Sequence, residues 1–148
     1  MKKISFLLSF AFLACFVLPV KSEEIQHVAN IKNFSGTVEV LREGFKLPAE
    51  AGMQLFASDT IISSSSSSAG VIFTDGTSLA VGPASEINIQ NYLFQPHDKQ
   101  YDFSLYMKKG SALYSTGKLG KLSPESVKLN TPRATVGVRG TRFIVKVD

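Results

Sequence analysis

The chain has 148 residues, 44% of them hydrophobic and 19% charged, and a formal net charge of +4, the size of one ordinary domain. Three of its 16 basic residues lie before residue 23 and none of its 12 acidic ones do, so 13 bases face 12 acids in the remainder, a balance of +1. That balance argues against the basic footprint of a nucleic-acid-binding domain. The single cysteine, Cys15, lies in the same leading segment, which leaves the rest without disulfides or thiolate metal sites.

The leading segment, 1–22, reads as a secretory signal peptide. Lys2 and Lys3 give the positive start, Ile4 to Val20 is uncharged and apolar, and Val20 and Ser22 satisfy the small-residue rule for cleavage after Ser22. The apolar stretch has 17 residues, at the short edge of the roughly 17–25 that span a bilayer. Pro19 and Lys21 suit a cleavage region. No stable membrane span is expected once the signal is removed. Export to the periplasm follows; an extracellular protein, or one anchored by an uncleaved signal, is the alternative. A lipidated Cys15 is disfavoured by the apolar "CFVLPV" that begins with it.

Residues 23–34 are expected to be a lead-in, with Ile25 to Asn33 a short helix or extended, and 35–147 a single all-β domain. "GTVEVL" alternates Val38 and Val40 against Thr37, Glu39 and Leu41. "AGVIFT" and "TSLAVG" flank Asp75-Gly76, which predicts a hairpin with a type I′ turn and positive φ at both central residues. "SEINIQNYLF" sets Ile87, Ile89 and Asn91 against Glu86, Asn88 and Gln90. "YDFSLYM" puts Tyr101, Phe103, Leu105 and Met107 on one face; "SVKLN" and "TRFIVKV" continue the habit. Turn chemistry falls at Glu43-Gly44, Gly82-Pro83, Pro96 to Asp98, Lys109-Gly110, Gly117 to Pro124 and Thr131-Pro132. Many short strands with tight turns predict a β-solenoid-like roll, with a β-sandwich or barrel as the alternative. Ser63 to Ser68 reads as a polar strand edge or loop, because the strand-like runs around it are too close for a linker.

Catalytic patterns are missing. His27 and His97 stand far apart, neither with a metal-ligand neighbour at useful spacing. No nucleophile elbow, phosphate loop or dinucleotide fingerprint is present. Glu39, Glu43, Asp59, Asp75, Glu86 and Asp102 are scattered, and surface solubility is their favoured reading. No enzyme activity, cofactor or metal is expected.

Several stretches taken in order resemble the FecR domain family over about 35–147. The step Gly52, Leu55, Asp59 and Ile61 is followed by the hairpin Asp75, Gly76 and Thr77. The closing "TPRATVGVRGTRF" supplies Thr131, Pro132, Ala134, Gly137, Arg139, Gly140, Thr141 and Phe143. The sequence departs from the family at Ser63-Ser64, where threonine-glycine is usual. The resemblance implies a β roll and a role in envelope signalling. The family's signalling regulators add a cytoplasmic anti-sigma segment and a transmembrane helix, which this sequence does not display, so it resembles a stand-alone exported FecR-domain protein. The function implied is a non-enzymatic protein-binding or signalling module with an envelope protein partner, by strand addition. A glycan- or envelope-polymer-binding module using Tyr92, Tyr101 and Tyr106 is the alternative. Neither the partner's identity nor the oligomeric state can be read from the residues.

Arg139, between two glycines and among valines, is the puzzle of the closing motif. Parity puts Gly137 and Arg139 on one face, where the glycines leave room for another backbone. A guanidinium there is expected to bolt neighbouring strands, with Asp59 as the first acidic partner and Asp75 as the second; a ligand anchor is the alternative.

Overall fold

The computed structural model describes residues 17–140 and 142–148. Most of the signal-peptide segment, with Cys15, and the motif residue Thr141 lie outside the described residues. Among those described, no helix is long and apolar enough to cross a membrane.

Twelve strands follow in order: β1 (Ala29–Ser35), β2 (Val38–Arg42), β3 (Phe45–Pro48), β4 (Gln54–Leu55), β5 (Thr60–Ser63), β6 (Ser68–Phe73), β7 (Ser78–Val81), β8 (Glu86–Gln95), β9 (Gln100–Ser115), β10 (Val127–Asn130), β11 (Thr135–Gly137) and β12 (Arg142–Val147). They form a curled, open half-barrel with the order β3-β2-β5-β8-β9-β7-β6-β1-β4, to which β10, β11 and β12 are added beside β9. The all-β reading stands. Neighbours are antiparallel apart from β10 on β9, so the roll is nearer the barrel alternative than a solenoid of stacked parallel coils.

The long strand β9 joins the two halves of the curl. Its first part pairs with β8 and β10, and its last part with β7 and β12, so that Ser115 lies opposite both Ser78 and Arg142. Lys109-Gly110, expected as a turn, is instead a bend inside this strand. Gly110 has φ +99°, and a Cβ there would run into the backbone of Ser85, so only glycine fits.

The lead-in takes the extended of its two expected forms and joins the sheet. From Ala29 onward it is β1, paired with β6 and β4, with Ala29 and Ile31 wholly buried. The stretch Gly117 to Pro124 holds a short helix, α1 (Lys118–Leu122), in place of a simple turn. The type I′ turn falls elsewhere than expected. Glu43 and Gly44 both have positive φ, and Arg42 lies opposite Phe45. At the Asp75-Gly76 hairpin only Gly76 has positive φ, at 86°. There Gly76 N donates to Phe73 O at 2.9 Å and Phe73 N to Thr77 O at 2.8 Å, a three-residue loop with a glycine bulge.

The core fills the curl with Ile31, Val40, Leu55, Ile61, Val71, Phe73, Ile87, Ile89, Phe103 and Met107. Burying such a side chain contributes about 1.5–3 kcal/mol relative to leaving it exposed. The serine run is a structural loop, as expected. Ser63 Oγ donates to Gly82 O at 2.6 Å and accepts from Ser85 N at 3.0 Å. Ser67 Oγ accepts from Thr37 N at 2.9 Å.

Candidate functional site

A bulge in β8 sets up the polar centre of the molecule. Ile89 lies opposite Leu105 but Asn91 opposite Ser104, which leaves Gln90 as an extra residue and flips the parity beyond it. Asn91, expected inside, is exposed, and Tyr92 turns inward. Its ring packs between Phe73 and Phe103, with centroids 5.4 and 5.1 Å away. Tyr92 is thus packed against the core, with part of it facing the groove described below.

The Tyr92 hydroxyl ends at Asp75, which is 1% exposed. Asp75 Oδ1 accepts from Thr77 N at 3.2 Å and Tyr92 Oη at 3.0 Å. Asp75 Oδ2 accepts from Thr77 Oγ1 at 2.7 Å and Leu119 N at 3.0 Å. Tyr92 Oη in turn accepts from Thr74 Oγ1 and Asp75 N, each at 3.0 Å. Gly117 N donates to Thr77 Oγ1 at 3.1 Å, and Lys118 N to Asp75 O at 2.9 Å. Asp75, Gly76 and Thr77 therefore form a turn whose side chains dock α1 onto the half-barrel.

Burial foremost, with the Asp75 charge adding to it, raises the Tyr92 pKa well above its ordinary value. The unfolded chain then releases this proton first, near pH 10. The stability this contributes is fully present below pH 10 and is lost as pH climbs above it. In alkaline titrations followed by thermal unfolding, Tyr92→Phe should flatten the fall in Tm above pH 10. An unchanged slope would remove Tyr92 from that titration.

The second centre is Asp59, also 1% exposed. Here the structure corrects the expected bolt: its partner is Arg42, not Arg139. Arg42 Nε and Nη2 donate to Asp59 Oδ1 and Oδ2 at 2.9 and 2.7 Å, and Nη2 also donates to Gln54 O at 2.9 Å. Phe56 N adds a bond to Asp59 Oδ2 at 2.8 Å, and the guanidinium lies 4.7 Å from the Phe56 ring centroid. The register explains the pairing. Leu41 lies opposite Thr60 across β2 and β5, so the next step of the ladder brings Arg42 to Asp59. Both carboxylates, grouped in the sequence with scattered surface acids and also offered as partners for Arg139, are interior anchors.

The closing motif forms an exposed segment apart from these centres. Thr131 Oγ1 accepts from Ala134 N at 3.0 Å and ties the turn after β10, with Pro132 exposed within it. Gly137 has open space around it, with nothing within 4 Å of an added Cβ, so no backbone lies close there. Val138 is buried, while Arg139 points to solvent. Gly140 O accepts from Thr116 Oγ1 at 2.7 Å, which latches the crossover to the end of β9. Residues of β11, the crossover and β12 line a cavity of about 510 Å³.

The strands at the ends of the pairing ladders differ. β4 has two residues, β11 has three including Gly137, and β3 has four and ends at Pro48. These are short or blunted edges. β12 has six residues, RFIVKV, without proline or glycine, and among the described residues it pairs only with β9. Phe143, Val145 and Val147 lean on the core, whereas Ile144 is 74% exposed.

A second groove, of about 1200 Å³, runs between Lys21–Val28 and the body at Phe56, Thr74 and Tyr92–Gln95. His97 is exposed in the turn between β8 and β9. Among the described residues no three His, Cys, Asp or Glu side chains group to hold a metal ion.

These features define a class: an all-β scaffold whose buried polar groups hold its own turns and strands, with a long strand left at its edge. The chain belongs to the FecR family, whose model, described as FecR protein, matches residues 59–148, more than half of it. The family is one of signalling and regulation connected with the envelope. No curated protein and no solved structure matches the chain. The match begins at Asp59, yet β1 to β4 lie before it and share the same sheet.

Proposed function

We propose that the protein is a non-enzymatic signalling module of the periplasm that binds another envelope protein by adding a strand to β12. The observation that carries this reading is the edge itself: six β-forming residues with Ile144 standing out of them. Such an edge is a template for a further strand, and the edges at β3, β4 and β11 are short or end in proline. The buried Asp59 and Asp75 support a scaffold role, because their acceptor oxygens are taken up by internal donors.

A crosslinking pull-down of residues 23–148 from envelope fractions of the host tests it. A saturable protein partner is expected with the native chain, at least about tenfold weaker with Ile144→Asp, since a central apolar contact is a binding hot spot. Equal capture by both proteins would place the contact elsewhere. Recovery of polymer alone, or of nothing, would overturn the reading.

A further inference from the structure

The side chains of β12 carry more information than its backbone. Arg142, Ile144 and Lys146 share the solvent face, and Phe143, Val145 and Val147 the inner one. Arg139 is exposed on the crossover and lines the same cavity as β12. Lys146 lies 3.8 Å from Asp148 at the surface, and Arg142 has no ion pair among the described residues. Three cations thus gather at this end of a domain whose overall balance is close to zero.

We infer that the strand added to β12 is an acidic one, an extended segment whose outward side chains read acid, apolar, acid; this rests on the edge reading above. A side chain directly opposite on a paired strand faces the same side of the sheet, about 4.5–5.5 Å away between Cβ atoms. Carboxylates opposite Arg142 and Lys146 meet cations, and an apolar residue opposite Ile144 covers it. The inward positions of the added strand continue the apolar row of Phe143, Val145 and Val147. Arg139 steers an acidic segment toward the edge.

A second copy of this chain fits less well. The symmetric antiparallel register centred on Ile144 sets Arg142 against Lys146 of the other copy, like against like. The register centred on Val145 sets Arg142 against Asp148 but leaves Ile144 against Lys146.

The test is a fluorescence anisotropy titration of residues 23–148 with a labelled, end-capped, valine-rich peptide whose alternate side chains read glutamate, leucine, glutamate. The same peptide with lysines is the control. The glutamate peptide should bind at least about tenfold tighter, and the advantage should shrink as salt rises. The double variant Arg142→Glu, Lys146→Glu should reverse the preference; both side chains are exposed, and a thermal melt confirms that the variant folds. N-methylation of one alternate set of peptide amides should abolish binding, and of the other set should not. Equal binding of the two peptides overturns the acidic specificity and leaves the edge reading in place. Glutamate-peptide binding indifferent to both N-methylation patterns overturns the edge reading as well. Dimerisation that excludes the peptide makes a second copy the occupant. If neither peptide binds, the inference fails, and the Ile144→Asp pull-down alone judges the edge.

Discussion

Asp75→Ala is expected to destabilise the domain by about 3–5 kcal/mol, because it strips the acceptor from several buried donors at once. For a domain of this size that is a fall in Tm of roughly 10–20 °C. Four donors converge on the carboxylate: Thr77 N, Thr77 Oγ1, Tyr92 Oη and Leu119 N. The hydroxyls can rotate toward other acceptors, but the two backbone N–H groups cannot. Asp75→Asn sharpens the test. Each carboxylate oxygen serves one backbone N–H, so either orientation of the asparagine amide points its NH₂ at a donor. Asparagine, nearly the same size, should therefore recover little of the loss, and α1 should lose amide protection before the rest of the domain. Urea unfolding followed by circular dichroism reads the stability, and hydrogen exchange at Leu119 reads the docking. If Asp75→Asn melts within a couple of degrees of the native chain, the carboxylate is not what holds the turn to the helix.

The sequence pattern carried the strands that keep one parity from end to end. Val38 and Val40, Ile87 and Ile89, and Phe103, Leu105 and Met107 all lie inside as alternation predicts. It carried the turn chemistry at Glu43-Gly44 and Gly82-Pro83, and the structural nature of the serine run. It failed where one residue breaks the count. The extra residue at Gln90 sends Tyr92 inward, and nothing in "NIQNY" marks a bulge. β1 was obscured for a related reason. Its register shifts between Ile31 and Asn33, and its exposed half is polar apart from Phe34, so only Ala29 and Ile31 show the period. Gly110 resembles a turn glycine locally. Its need arises from Ser85, far away in sequence and met only once β9 crosses it. The candidate site divides the same way. The carboxylates Asp59 and Asp75 were visible as motif residues, but their partners were not. A pairing between residues 17 apart, as for Arg42 and Asp59, depends on strand register, and an arginine in a plain alternating strand carries no mark of burial. Arg139 is a charge set between glycines that offer room to another backbone, but it sits in solvent.

The exchange of Arg139 for Arg42 is itself measurable by double-mutant cycles on Asp59. Arg42→Ala should cost about 2–3 kcal/mol, below the figure for a fully buried pair because the Arg42 side chain is 30% exposed while that of Asp59 is 2% exposed. It leaves a buried carboxylate with Phe56 N as its remaining hydrogen-bond donor. Arg42→Lys should recover less than half, because an ammonium cannot make the two parallel bonds at 2.9 and 2.7 Å and reach Gln54 O as well. Crossed with Asp59→Asn, Arg42→Ala should show a coupling of about 1–3 kcal/mol. Arg139→Ala should change stability by no more than about 0.5 kcal/mol and show no coupling to Asp59. A coupling through Arg139 equal to that through Arg42 would overturn the assignment. The clamp has a consequence for the limits of the domain. Arg42 ends β2, before the matched region, and Asp59 is its first residue, so the ion pair fastens the earlier strands to the family core. A chain begun at residue 59 would leave that carboxylate without its cation and bare the edge of β5 that β2 covers. It should therefore fail to give a cooperative melt, whereas a chain begun at residue 23 should unfold in one transition.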